Sequence, residues 1–376
     1  MHHTPAPPEL PTALDQYRLL GRTGLRVSPL CLGTMTFGDR WGWGADLDES
    51  RKQLSLYADK GGNFIDTADM YTHGQSEEFL GRLLHEDGFG GRDRFVLATK
   101  YTLNHPATAG GDPNASGNHR KRLMTALDAS LKRLRTDYVD LYWLHIWDGT
   151  TPVDELMRAF DDMVRQGKVL YTAISDTPAW KIAQLQTYAE QHAMTRFACT
   201  QVEYSLVERT IEREIAPMCR ELGLGLLPWS PLAGGILAGK YTHEDMEAEQ
   251  KLLASGVDPF NSEKRIVGLS ERKLAIADAV KRAAEKVGQS PTRVALNWLL
   301  TRDVVTSIII GARKASQVED NLGCLDFALP HEVVRELDEA SAIDLGFPAA
   351  FMTNPMVNQV ATGGTRVRGR IQQPRQ

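Results

Sequence analysis

Cysteine is scarce: Cys31, Cys199, Cys219 and Cys324 are the four in 376 residues, and no Cys-x-x-Cys pair occurs. Three of them fall in or beside apolar runs, which points to buried free thiols of a cytoplasmic protein rather than to disulfides or a metal cluster. No apolar run approaches about 18 residues, which argues against a membrane span. Met1–Pro11 carries several prolines without an apolar segment, so it reads as a loose leader and not as a secretory signal. Neither sign of charge dominates, since 43 basic against 48 acidic residues leave a net −5. Such a balance offers no basic field for nucleic acid and no anchor for a membrane surface. The ten histidines are dispersed without a His-x-His pair, so no metal site is expected. A Gly-x-Gly-x-x-Gly turn after the first strand is also missing, which weakens an open dinucleotide-binding sheet.

What is present is a regular alternation. Short apolar, β-branched runs at Pro29–Gly33, Asn63–Thr67, Phe95–Thr99, Val139–His145, Val169–Ser175, Ala198–Val202, Leu224–Trp229 and Thr306–Ile310 read as strands. Between and after them, amphipathic stretches near Glu49–Lys60, Ser76–Leu84, Lys121–Leu134, Asp154–Gln166, Ala179–His192, Ile211–Leu222, Glu271–Lys286 and Gln317–Leu325 read as helices. Eight strands alternating with eight helices predict an α/β fold of the (β/α)8 TIM barrel type, with an eight-strand doubly wound sheet as the alternative. Residues 17–345 form the single barrel domain in this reading, after a flexible leader over 1–16 and before a partly disordered tail over 346–376. Two short runs hinged on Arg22-Thr23-Gly24 suit an N-terminal β-hairpin that plugs the barrel's lower end. Long loops are expected after strands three and seven, over Thr102–Asn118 and from Ser230 to about Ser270. The four arginines in Arg366–Arg375 suit a solvated end better than an anion site.

In such a barrel, reactive groups sit at the C-terminal ends of the strands. Strand two ends in Asp66 with Tyr71 close behind, strand three in Lys100, strand four in His145, strand five in Ser175-Asp176, and strand six carries Gln201. Singly, each has an ordinary explanation: a turn-forming Asp, a solvated Lys, a hydrogen-bonded His. On successive strands they point to one site.

The run Phe64-Ile65-Asp66-Thr67-Ala68-Asp69-Met70-Tyr71, with Gly74-Gln75-Ser76-Glu77, resembles the signature of the aldo-keto reductase superfamily. Gly33–Gly38, Thr99-Lys100, Gln201–Leu206, Trp229–Gly235, Gly311–Lys314 and Gln317–Asn321 are similar to it in the same order. The likeness runs from about residue 17 to 341 and lies nearest the bacterial-type branches related to potassium-channel β-subunits. It implies reduction of an aldehyde or ketone by NADPH, with NADH as the other option, and catalytic positions at Asp66, Tyr71, Lys100 and His145. The residues fit that chemistry. A phenol near pKa 10 is a weak donor at neutral pH, and the Lys100 ammonium would lower that value while Asp66 keeps Lys100 charged and aimed.

The same matching implies a cofactor site of Gly33, Thr34, Met35, Asp66, Ser175, Asp176, Gln201, Trp229, Ser230, Pro231, Leu232, Gly234, Gly311, Arg313, Gln317, Asp320 and Asn321. Within it, Ser175, Asp176 and Gln201 would meet the carboxamide, and Trp229 would stack on the nicotinamide, although a core plug is its plain alternative. Arg313 and Lys314 at a helix N-terminus suit a 2′-phosphate. Asp176 departs from the family's usual Asn, and Gln317 from an Arg that often grips that phosphate. Met35, Trp41, Trp43, Tyr101, Trp147 and Phe351 are the residues expected to rim the pocket, favouring a bulky or aromatic carbonyl, and the Gly346–Val360 stretch could lie over it. The partner so implied is a small-molecule carbonyl; the oligomeric state is left open. Rival readings are a cofactor-binding regulatory barrel that docks on a partner, and a metal-dependent barrel hydrolase, for which clustered ligands are missing.

Overall fold

The computed structural model of the chain describes residues 10–86, 89–104, 110–256 and 268–365. Eight parallel strands follow a short antiparallel hairpin of β1 (Arg18–Leu19) and β2 (Arg26–Val27). They are β3 (Leu30–Gly33), β4 (Phe64–Asp66), β5 (Val96–Tyr101), β6 (Val139–Leu144), β7 (Val169–Ser175), β8 (Phe197–Glu203), β9 (Gly225–Trp229) and β10 (Ile308–Gly311). Each pairs with its neighbour in chain order, and β10 returns to pair with β3. A parallel bridge between Leu226 and Val305, with the Thr306 N–H donating to the Leu226 carbonyl at 2.8 Å, completes the circle. The result is the expected (β/α)8 barrel, and the doubly wound alternative falls.

Period-two alternation along each strand divides the apolar residues into two cores. Cys31, Phe64, Val96, Ala98, Leu141, Trp143, Ala173, Cys199, Leu227 and Ile309 fill the barrel. Their neighbours Leu32, Ile65, Leu97, Tyr142, Leu144 and Ile174 face the helix layer. The inner row stays apolar up to one level below the strand ends, and the next inward positions are Asp66, Lys100, Ser175 and Gln201. The site is therefore the top layer of the barrel filling.

That layer of helices comprises α1 (Leu47–Asp59), α2 (Gln75–Leu83), α3 (Arg120–Leu134), α4 (Val153–Arg165), α5 (Ala179–Gln191) and α6 (Ile215–Leu222), one after each of the strands β3 to β8. Strict alternation ends there. Between β9 and β10 lie α7 (His243–Ala254), α8 (Glu271–Val287) and α9 (Pro291–Leu300), and after β10 come α10 (Ala315–Leu322), α11 (His331–Ala340), α12 (Ala349–Met352) and α13 (Pro355–Ala361). Seven consecutive residues of α9, Val294–Leu300, are buried, so it lacks the one-sided stripe by which a helix is read from sequence. The loop expected after β9 holds α7, opened by a capping box between Thr242 and Asp245 that was a legible start signal. The leader residues 1–9, part of each long loop (105–109 and 257–267) and the arginine-rich end over 366–376 lie outside the described residues.

The hairpin closes the lower end, as expected. Leu20 and Val27 are fully buried against the inner core. Gly21 has φ +57°, and a Cβ there would come within 2.2 Å of the Ala198 carbonyl oxygen, so the turn seats directly on β8. Removing Leu20's side chain would open a cavity under the barrel. Leu20→Ala is expected to lower the free energy of unfolding by about 2–5 kcal/mol in a denaturant titration.

Candidate active site

Lys100 is fully buried and Asp66 nearly so. The ammonium donates to Asp66 Oδ2, to the Thr67 carbonyl at 2.9 Å and to the Tyr71 hydroxyl at 3.1 Å. Gln201 Nε2 donates to Asp66 Oδ1 at 3.3 Å, so both carboxylate oxygens are held. Burial alone pushes the Asp66 carboxyl upward, opposed by Lys100 and Gln201. Burial likewise pulls on Lys100, but Asp66 and Tyr71 outweigh it and raise its pKa. The pair stays ionised because each charge answers the other across one hydrogen bond.

Tyr71 is set by the backbone beyond β4. Thr72 and His73 both adopt left-handed φ, +46° and +55°, ahead of Gly74, while the Thr72 hydroxyl donates to the Phe37 carbonyl at 2.7 Å. Below it, Thr34, Thr67 and Ser76 join through hydroxyls 2.9 Å apart. Six of the eight non-glycine residues with positive φ among the described residues (Thr72, His73, Thr102, Asp176, Ser230 and Ala233) stand just after barrel strands. Each such residue costs on the order of 1–3 kcal/mol, and such strain gathers at sites that need a fixed geometry.

Burial raises the Tyr71 pKa above its ordinary 10, and Lys100 opposes that rise. The expectation of a net lowered phenol is therefore corrected: the ammonium lowers the value only part of the way back. His145 packs edge-on to Tyr71, ring centres 5.9 Å apart. Burial, then Lys100, hold its pKa well below 6.5, so the imidazole is neutral at pH 7. The four polar groups named from the sequence thus meet at one place.

The cofactor positions divide. Ser175 Oγ and His145 Nδ1 are buried polar atoms with no partner among the described residues, which is the pairing a bound amide could complete. Asp176 accepts from the Trp229 indole N–H at 3.0 Å, and burial pushes its carboxyl upward. No spacing along the chain signals this bond, which fixes the plane of the Trp229 ring. A Cβ on Gly33 would stand 2.7 Å from the Ile309 side chain, so the strand end admits no bulk beside Thr34 and Met35. Ser230, Pro231, Leu232 and Gly234 form the turn that follows β9, with Ala233 and Gly234 both at positive φ. Gly311, Arg313, Lys314 and Gln317 lie at the β10–α10 junction, where the Arg313 N–H donates to Gln317 Oε1 at 2.8 Å. A cleft of about 520 Å³ there is lined by Arg313 and Lys314 and also by Asp46 and Glu49. Glu49 accepts from the Ala315 N–H at 2.5 Å, so a carboxylate rests where an anion was expected. Asn321 is buried. Asp320 is turned away from the mouth: it accepts from Arg293 Nε at 2.9 Å and from the Ser290 hydroxyl.

Of the pocket residues, Trp41 packs against Trp43 at 5.5 Å and edge-on to Tyr71 at 6.5 Å. Met35 and Trp43 are exposed, and Trp147 is half-buried. Tyr101 does not rim the pocket. It follows inward Lys100, so alternation sends it outward, where it stacks on Tyr142 at 5.3 Å and donates to the Asn118 carbonyl. Phe351 lies on α12, over half exposed, against Phe347. Sequence reasoning missed Asp69 and Arg122: the guanidinium pairs with the buried Asp69 carboxylate and also donates to the Leu103 carbonyl at 3.2 Å. It ties the loop after β5 to the segment carrying Tyr71, and burial pushes Asp69 up to about 7 despite Arg122. Among the described residues no group of His, Cys, Asp or Glu could hold a metal, and no helix is long and apolar enough to cross a membrane.

A profile of the aldo/keto reductase family matches residues 29–342. The chain is 36% identical to norsolorinic acid reductase of Aspergillus flavus over 357 residues, 93% of this chain and 87% of that protein. It is also 36% identical to an aryl-alcohol dehydrogenase [NADP(+)] of Phanerodontia chrysosporium over 354 residues, covering 91% of this chain and 90% of that one.

Taking one charge from the buried pair should expose its energetics. Lys100→Met leaves an unpaired carboxylate and is expected to cost about 3–5 kcal/mol of stability in urea titration. Adding Asp66→Asn to that variant should restore most of the loss.

Proposed function

This chain belongs to the aldo/keto reductase family, and from that we propose that it reduces aldehydes or ketones with NADPH, Tyr71 giving the proton. The observation that carries the reading is one buried ammonium, Lys100, bonded at once to Asp66 and to the Tyr71 hydroxyl. A bound reduced nicotinamide supplies the hydride. Ser175, Asp176 and Gln201 would hold its carboxamide, Trp229 its ring face, and the turns after β9 and β10 its phosphates, with Arg313 and Lys314 facing a 2′-phosphate.

The protein's part is proton and charge. As hydride reaches the carbonyl carbon, negative charge grows on oxygen between Tyr71 and His145. Tyr71 transfers its hydroxyl proton there, and Lys100 stabilises the phenolate left behind. Asp66 keeps Lys100 charged and fixes its direction. Neutral His145 can donate one N–H to the same oxygen. Burial gives Tyr71 a second property: the phenol holds its proton throughout the neutral range and so is always loaded for reduction.

Tyr71→Phe is expected to lower kcat for benzaldehyde reduction by about 10²–10⁴-fold, the usual worth of a positioned acid. NADPH should still quench the Trp229 fluorescence of that variant. Cofactor binding without aldehyde-dependent NADPH oxidation by the wild-type protein would favour the regulatory barrel instead.

The pH dependence follows from the two shifts. His145 titrates below the assay range, so no limb should fall near 6.5. Reduction needs the protonated phenol, so its kcat/KM should stay flat from about pH 6.5 to 9 and fall only as Tyr71 ionises. Alcohol oxidation, which needs the phenolate, should rise over that upper range.

Replacing both Arg313 and Lys314 by Ala should raise KM for NADPH roughly tenfold or more, the worth of a charge-assisted hydrogen bond, and leave KM for NADH unchanged.

A further inference from the structure

The reduction leaves one group at the mouth unused. Trp147 stands two residues beyond His145, and its backbone N–H donates to the Asp176 carbonyl at 3.4 Å. That bond sets the Trp147 backbone beside the strand end proposed to hold the nicotinamide. Lys181, in the first turn of α5, places its ammonium 4.8 Å from the centre of the Trp147 ring and 4.7 Å from that of Trp180. One of its N–H groups donates to Gln184 Oε1 at 2.8 Å. No carboxylate pairs with it among the described residues.

That arrangement is unusual for a surface lysine. Two rings hold the side chain in place, so the conformational entropy of ordering it is already lost before anything binds. Yet the charge is left without a counter-ion, and Trp180 remains 62% exposed. Ile146, next to Trp147 in the chain, is exposed as well, so the ammonium is set among apolar and aromatic surface. Planar apolar surface selects aromatic rings, and an unpaired ammonium selects an anionic oxygen.

We propose that Trp147, Lys181 and Trp180 form a distal substrate subsite. It takes an anionic oxygen carried on a fused aromatic system whose carbonyl reacts at Tyr71 and His145. The two residues from His145 to Trp147 span at most about 7 Å, and the ammonium stands a further 4.8 Å from the centre of the Trp147 ring. An occupant that reaches both ends therefore measures on the order of 10 Å, the length of two or three fused rings rather than one. The inference rests on the reductase reading of the same site.

Three aldehydes test it: 6-formyl-2-naphthoate, its methyl ester, and benzaldehyde, which is too short to reach Lys181. The wild-type protein is expected to favour the naphthoate over the ester about tenfold or more in kcat/KM. Lys181→Met keeps the aliphatic stem and removes the charge, so it should bring that ratio to about one while the benzaldehyde rate moves less than twofold. Trp180→Ala should raise KM for both naphthyl substrates and not for benzaldehyde. The subsite is overturned if the naphthoate-to-ester ratio is the same in wild type and Lys181→Met, or if Lys181→Met lowers all three rates alike. If the wild-type protein reduces none of the three, the reductase reading fails and takes the subsite with it.

Discussion

The structure depends most on one buried ion pair. Lys100 and Asp66 sit where a barrel of this size would otherwise be filled with apolar side chains, the first fully and the second almost fully buried. Removing two charges from water costs several kcal/mol each unless the geometry is close and the remaining hydrogen-bonding capacity is used. Both conditions are met: Gln201 takes the second carboxylate oxygen, while the Thr67 carbonyl and Tyr71 take the remaining ammonium protons. Parallel strands set β4 beside β5 with Asp66 opposite Ala98 and Lys100 two residues further on, within reach of the carboxylate. The hairpin closes the other end, with Leu20 and Val27 packed against the inner core.

Around that pair the backbone is held away from its easy conformations. Left-handed residues follow β4, β5, β7 and β9, and two of them are pinned by side-chain bonds: Thr72 by the Phe37 carbonyl, Asp176 by the Trp229 indole. The effect is to fix Tyr71 and Trp229 before a ligand arrives, so little reorganisation remains for the reaction. The tie from Arg122 to both Asp69 and Leu103 extends the same restraint to the loop after β5.

Much of this was legible in the sequence, for a physical reason. Strand alternation is a strict period of two, so the β4 and β5 ends could be read directly as inward Asp66 and Lys100. Applied equally strictly, the same rule would have sent Tyr101 outward, where it lies. Helix α9 escaped because it is buried all round and has no polar face to give it a period. Asp320 was placed by its motif, but its carboxylate answers Arg293 on the neighbouring helix, a contact no spacing reveals. Long-range pairs such as Arg122–Asp69, Trp229–Asp176 and Lys181–Trp147 leave no local pattern at all. The net rise of the Tyr71 pKa was hidden for another reason: the pull of Lys100 could be named from the motif, whereas the depth of burial that outweighs it belongs to the fold.

The central claim is that Lys100 acts on the Tyr71 proton. It is tested most directly by 13Cζ-tyrosine NMR titration, with the Tyr71 signal assigned through Tyr71→Phe. The wild-type protein is to be compared with an Asp66→Asn, Lys100→Met double variant, which leaves the buried site neutral. Tyr71 is expected to titrate above the usual phenol value in the wild-type protein and higher still in the double variant. A Tyr71 signal that titrates like an exposed tyrosine, or that does not move when the pair is removed, would contradict it.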